Sequence, residues 1–429
     1  MAAIPTPTAA LARRALGAMI EGRDVLSGLR VFHAALGDIF RIPLPGFDPI
    51  MVAGPEANRL VLTGLRNDLL WRSEGDPVTE LLRHGVLVED GDSHDALRRS
   101  MNPALHRRML EGYLTTMLGV TDSALAGWSE GECNALDAMR AIALRILTAT
   151  LFRVDIAPDL ARLWKSVIKS IEYISPGPWL VVPGLPRPGY ARARKTLDDY
   201  LFGLIAARRR AAAPGDDLLG LLMDAGMNDD LIRDQLLTLL IAGHDTSTAL
   251  LAWALHLLAR HPDVQDRLWA EIDGAVGNAP PSFEALARLP LLDHVVDETL
   301  RLYPPIHLGQ RRAARAIDFQ GYEIPAGRRV LYSIFLTHRD PTHWPDPHAF
   351  RPERFGEPGP RVPYTFVPFG GGARNCIGAA FAQVEVKAVL VRILQRFVLQ
   401  AAGPLPRLRM AATLEPAHGA RVQIRPRKA

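Results

Sequence analysis

The sequence predicts a mainly α-helical protein with small β-sheets, folded as a single domain over residues 1–429, with roughly the first 25 residues loosely attached. Three observations carry this expectation. A helical pattern runs unbroken from Asp229 to Ala259 and is apolar nearly all round from Leu236 to Leu258, which requires an interior to hold it. A glycine-rich loop, Phe369 to Gly378, delivers a cysteine to the start of a second helical pattern that runs to Gln400. Short apolar runs bounded by turn residues, such as Asp38-Ile-Phe-Arg-Ile-Pro and Pro49-Ile-Met-Val-Ala-Gly, read as brief strands.

Bulk properties narrow the function classes. Length alone allows two or three domains of roughly 150 residues, but no low-complexity tract, charge block or internal repeat divides the 429 residues. The net charge of +4 is mild, and no basic run with interleaved aromatics appears, so nucleic acid is not an expected partner. Two cysteines, Cys133 and Cys376, exclude a disulfide framework and any multi-cysteine zinc or iron–sulfur site, and fit a reducing compartment such as the cytoplasm. Near the N-terminus Arg13 and Arg14 interrupt the apolar stretch Leu11 to Ile20, so no membrane anchor or signal peptide is expected there.

The elements follow in order. Residues 1–60 read as a helix followed by short strands. His94 and Arg98 lie four apart, hence on one helix face, where two donors suit a carboxylate; a solvated face is the alternative. Helical segments fill 110–215, broken by the turn-rich Ser175-Pro-Gly-Pro-Trp and Pro183-Gly-Leu-Pro-Arg-Pro. In the long helix Asn228 is the N-cap, and Pro262 ends the pattern. Its centre carries Ala242-Gly-His-Asp-Thr-Ser247, and a charge and hydroxyls in a buried helix need partners or a task; a tolerated polar kink is the alternative. Leu291 to Tyr303 forms a further helix, stopped by Pro304-Pro305, with Glu298 and Arg301 on one side. Phe319 to Leu331 reads as a hairpin.

Cys376 stands where a turn feeds a helix N-terminus, and the unpaired N–H groups and dipole there favour an anion. Such a thiol tends to ionise and to act as a metal ligand or nucleophile, whereas an inert buried cysteine is the plain alternative. A phosphate-binding loop is excluded because no Gly-Lys-Ser/Thr follows at the required spacing. A dinucleotide loop is excluded because Gly370-x-Gly372 is followed at the third-glycine position by Asn375.

What fits is Phe-x-x-Gly-x-Arg-x-Cys-x-Gly, at Phe369, Gly372, Arg374, Cys376 and Gly378. This resembles the haem-binding loop of the cytochrome P450 family, and five such positions match by chance on the order of once in 10^6 starts or rarer. The resemblance extends in order over residues 30–426 and implies haem b held between the long distal helix and the helix after the cysteine loop. By that match Cys376 is the proximal iron ligand. His94, Arg98 and Arg311, with Arg312 a near rival, grip the propionates, and Phe369, Arg374 and Gly378 complete the loop. Ala242 and Gly243 form an oxygen-binding notch, Thr246 hydrogen-bonds the distal ligand, and Asp245 relays protons from solvent, while His244 has no assigned role. Glu298, Arg301 and Arg354 form a buried structural triad, the turn-rich stretch near 175–188 is a lid, and Ile306, His307 and Leu308 line the pocket. The turn Met410 to Thr413 approaches substrate.

The activity so implied is insertion of one atom of O2 into a C–H or C=C bond of a lipophilic small molecule. Electrons come from a separate ferredoxin or flavodoxin and its reductase, docking on a basic surface that includes Arg98, Arg99, Arg107 and Arg108. The rivals are a peroxide-using or isomerising haem-thiolate enzyme and a haem sensor without turnover. The chain departs from many soluble bacterial members in carrying Arg374 where they carry histidine.

Overall fold

The long helix forms over Asp229–Arg260, and local chemistry sets its ends. The Asn228 side chain accepts from the Leu231 N–H at 2.8 Å, and Asp229 and Asp230 occupy the positive first turn. In this computed structural model residues 2–427 are described, apart from 74, 178–184, 212–214 and 216. From Ile232 to Ala259 every side chain of the long helix is buried except Ala242, Gly243 and Thr246. By length and composition this helix could cross a membrane, but 83% of its most apolar window is buried inside the protein. Its apolarity serves the core instead.

Other helices pack around it. Ala135–Leu151 lies along it so closely that a Cβ on Gly243 would come within 2.2 Å of Leu147 Cδ1. The helix after the cysteine loop, Ala379–Arg396, buries Val386, Val389, Leu390 and Ile393 in the same core. It stops four residues short of the expected Gln400. Phe397–Ala401 instead becomes a strand paired with Arg421–Pro426, with Leu399 opposite Ile424 and its other backbone groups bonded to buried Gln265. The β-prone Phe397-Val-Leu gains more from that pairing than from another helical turn.

The short strands gather into a five-stranded sheet, in the order Ile39–Arg41, Ile50–Val52, Arg329–Ser333, Leu308–Ala313, Leu69–Leu70. The expected hairpin is shorter than 319–331. Ile317–Phe319 pairs with Tyr322–Ile324 across Gln320-Gly321, both at positive φ, and the later strand joins the large sheet. Near the N-terminus two helices form, Ala9–Gly22 and Val25–Leu36, with Leu11 and Ala15 buried. Leu160–Ile174 and Tyr190–Ala211 flank the turn-rich stretch, whose residues 178–184 lie outside the described residues. These two helices meet through the stacked rings of Tyr173 and Tyr190, 3.5 Å apart.

Glu298 and Arg301, on Pro290–Leu302, form a two-point ion pair at 2.7 and 2.8 Å. Arg354 Nε adds a third donor at 3.1 Å, and the Arg351 N–H a fourth at 2.8 Å. Arg301 spends its remaining donors on the carbonyls of His338, Pro347 and Ala349. All three side chains are buried, so the triad read from the sequence exists and pins the segment after the sheet to this helix.

Candidate active site

The cysteine loop is shaped by its glycines. Gly370 and Gly372 sit at φ of 71° and 62°, and a Cβ on Gly372 would lie 2.3 Å from the Leu62 carbonyl oxygen. The Cys376 N–H donates to the Phe369 carbonyl at 2.8 Å, which closes the loop. The Gly378 N–H points at the sulfur, and a Cβ on Gly378 would meet nothing within 4 Å. Cys376 itself is accessible, while protein crowds its other sides. It therefore stands on the wall of a recess. Burial pushes its thiol up, outweighing the Gly378 N–H and Arg98, which pull it down. Burial thus works against the ionisation that a helix N-terminus favours.

Cations converge beside the sulfur. Arg98, on Gly91–Met101, donates to the carbonyl and side-chain oxygens of Asn375 at 2.5 and 3.0 Å, so it points inward. Burial lowers Arg98, and the charge of Cys376 opposes that. His94, one turn earlier, is buried against Asp95 at 2.9 Å; burial and the charges of Arg374 and Arg98 hold it low. Arg311 is buried and donates to the Gln310 carbonyl at 2.7 Å, while Arg312 is exposed. Arg374 binds Asp90 and the carbonyls of Glu89 and Leu87, and burial together with nearby Arg311 lowers it. Among the described residues neither Arg98 nor Arg311 pairs with a carboxylate, which leaves positive charge to be matched by an anionic ligand. An accessible sulfur, a glycine bordering open space and two arginines, Arg98 and Arg311, without carboxylate partners among the described residues fit a haem with its two propionates.

The long helix supplies the remaining surface. Its accessible residues Ala242, Gly243 and Thr246 follow the i, i+1, i+4 spacing of one face. The Thr246 hydroxyl donates to the Ala242 carbonyl at 2.9 Å, so its oxygen lone pairs stay available as acceptors. Gly243 also serves the packing of Leu147, so it is more than a notch. Asp245 is buried away from that face, with Oδ2 accepting from Thr413 at 2.9 Å and Oδ1 3.6 Å from Arg140. Thr246 and Asp245 are therefore neighbours in sequence on different sides of the helix. In the segment after the triad Ile306 is exposed, while His307 is buried, bonded to the Pro305 carbonyl and held down to about 4 by desolvation.

Sequence reading missed Glu385. Its carboxyl accepts from the Ser247 hydroxyl at 2.6 Å, which ties the cysteine helix to the long helix, and burial pushes it up to about 8. A lone glutamate inside Val384-Glu-Val-Lys-Ala-Val was the available signal. Arg140 and Glu415, paired beside Asp245, carried none.

Comparison with known proteins agrees with this geometry. The family model described as Cytochrome P450 matches residues 14–417. Cyclooctat-9-en-7-ol 5-monooxygenase of Streptomyces melanosporofaciens is 33% identical over 391 residues, covering 87% of this chain and 84% of its own. Cytochrome P450 120 of Synechocystis is 32% identical, covering 84% of this chain and 83% of its own. A solved cyanobacterial P450 with retinoic acid bound superposes with a TM-score of 0.83 at 29% identity, over 92% of this chain and 93% of that one.

Proposed function

The chain belongs to the cytochrome P450 family, with haem b as cofactor and monooxygenase activity, and from that premise we propose how its residues divide the work. When bound, haem supplies the activation of O2 and the oxidation of the substrate C–H or C=C bond. Cys376 would hold its iron as a thiolate, because a coordinating thiol is deprotonated outright. The observation that carries this reading is the accessible Cys376 sulfur near half-buried Arg98 and buried Arg311, neither of which has a carboxylate partner among the described residues.

His94, Arg98 and Arg311 hold the propionates, with Arg374 and Phe369 fixing the loop around the sulfur and Gly378 leaving space beside it. Ala242 and Gly243 allow close approach to the helix, and Thr246 accepts a hydrogen bond from what is held there. Asp245 moves protons toward Thr246. Glu385 keeps its proton at neutral pH behind the same helix turn. Residues 1–429 act as one catalytic unit.

Small-molecule substrates and redox partners are family properties. For this chain the substrate is lipophilic: Ile306 and Leu87 are large apolar side chains left exposed in segments bordering the site. The cyclooctat-9-en-7-ol and retinoic acid named for two relatives belong to that class. The exposed Arg99, Arg107 and Arg108 dock an acidic ferredoxin or flavodoxin; Arg98, turned inward, does not take part. Two free cysteines and a buried apolar helix fit a cytoplasmic protein.

The test is reconstitution with NAD(P)H and a surrogate ferredoxin system against peroxide alone, over a library of lipophilic compounds preselected by a haem spectral shift. Product that depends on the electron donor is expected. Product formed with peroxide and never with the donor would overturn the monooxygenase reading.

A further inference from the structure

Asp245 lies about 100° round the helix from Thr246, and its carboxylate is held on that far side. Thr413 Oγ1 donates to Oδ2 at 2.9 Å, and Oδ1 has no hydrogen bond, with Arg140 Nη2 3.6 Å away. Thr413 is itself buried, in the turn joining Leu408–Met410 to Leu414–Pro416. That turn is anchored twice. Its Ala411 N–H donates to the Thr413 carbonyl at 3.0 Å, and its Ala412 N–H donates to Ser175 Oγ at 2.8 Å. Ser175 follows directly on the helix Leu160–Ile174 and donates back to the Ile171 carbonyl at 2.6 Å. Two hydrogen bonds, one at Ala412 and one at the next residue Thr413, thus join the end of that helix through the turn's backbone to the Asp245 carboxylate. The charged groups around the carboxylate are Arg140, Glu415 beyond it, Arg409 at 3.2 Å from Glu415, and His244 next in sequence.

We infer that Thr413 is a positioning residue that parks Asp245 away from the open face of the long helix, and that Ser175 holds Thr413 in place. The inference rests on the reading of Asp245 as the proton-moving group. A carboxylate so parked must leave Thr413 to reach toward Thr246. A hydroxyl-to-carboxylate bond of this kind weights the parked state by about 10- to 100-fold, so the position of the helix end sets how often Asp245 is free. The device needs no new contact at the haem: it works by letting go.

The test uses the holoprotein and its ferrous carbonyl complex, with carbon monoxide as probe of the field at the open face. Asp245→Asn moves the C–O stretch if the carboxylate contributes to that field. Thr413→Val is expected to shift or split the band, Thr413→Ser to restore it, and Thr413→Val to have no effect in the Asp245→Asn background. Amide exchange over 408–416, followed with and without haem, is expected to rise about tenfold at Ala412 in Ser175→Ala. If Asp245→Asn moves the band and Thr413→Val leaves it unchanged, the inference falls while the Asp245 reading stands. If Asp245→Asn has no effect on the band or on the solvent isotope effect of electron consumption, the reading itself falls. Should Thr413→Val not load haem, Ser175→Ala reads the same displacement, and an unmoved band there overturns the link.

Discussion

Removing one oxygen from the buried triad should cost more than any surface ion pair in the molecule. Glu298 takes two donors from Arg301, one from Arg354 and one from the Arg351 N–H, with all three side chains out of water. In Glu298→Gln the shape is kept, but the charge that balances two guanidinium groups is gone, and one acceptor becomes a donor facing donors. Breaking a buried pair by removing one partner typically costs about 3–5 kcal/mol. Against a total stability of about 5–15 kcal/mol, that is about a fifth or more. Urea unfolding of the haem-loaded protein, followed by fluorescence and by the haem band, measures it. The variant should unfold at clearly lower urea and lose haem during purification. Because Arg301 also bonds three backbone carbonyls, Arg301→Lys should not rescue, as one ammonium cannot reach them all. A Glu298→Gln protein within about 1 kcal/mol of the parent would refute the reasoning and reduce the triad to an incidental contact.

Further outcomes follow from the site. Cys376→Ala should remove the red-shifted Soret band of the ferrous carbonyl complex, read by absorption, because the chain's other cysteine, Cys133, lies on the strand Gly131–Asn134, outside this loop. Thr246→Ala should keep haem but divert electrons to hydrogen peroxide, measured as the ratio of peroxide to NAD(P)H consumed. Glu385, pushed from 4.5 up to about 8 by burial, binds a proton in the folded state that the unfolded chain has released over that range. Stability should therefore fall as pH rises from about 4.5 to about 8, by an amount on the order of a few kcal/mol, and Glu385→Gln should flatten that slope in urea titrations. Charge reversal of Arg99, Arg107 and Arg108 should slow reduction by an acidic ferredoxin and weaken its salt dependence, read by stopped flow.

What the sequence reveals is what rests on residue type at fixed spacing. The cysteine loop, the Asn228 cap and the Glu298–Arg301 pair are local patterns, so a single stretch of chain carries each. Arg354 was legible only because a second short motif points to the first. Contacts across long separations were not. Thr413 meets Asp245 across 168 positions, and Arg140 meets Glu415 across 275, with no local pattern at either end. Gly243 illustrates a different limit: the sequence shows that a side chain is missing, while only packing shows that Leu147 uses the space. Arg98 and Arg99 are adjacent and chemically identical, yet one is turned to Asn375 and the other to solvent, which helix phase decides and composition does not.

The electrostatics of the site make sense only with its cofactor in mind. A helix N-terminus and an arginine both pull the Cys376 thiol down, yet burial pushes it up overall. Burial likewise lowers Arg98, Arg374 and His94. Burial thus makes charge costly at the sulfur and at these bases alike, a cost that more protein packing would only increase. Arg98 and Arg311 would hold the propionates of haem, and Cys376, as a thiolate, its iron, so that one cofactor would answer both. The recess is therefore a binding site first and a fold element second, and its groups become consistent with one another only as a set around the haem.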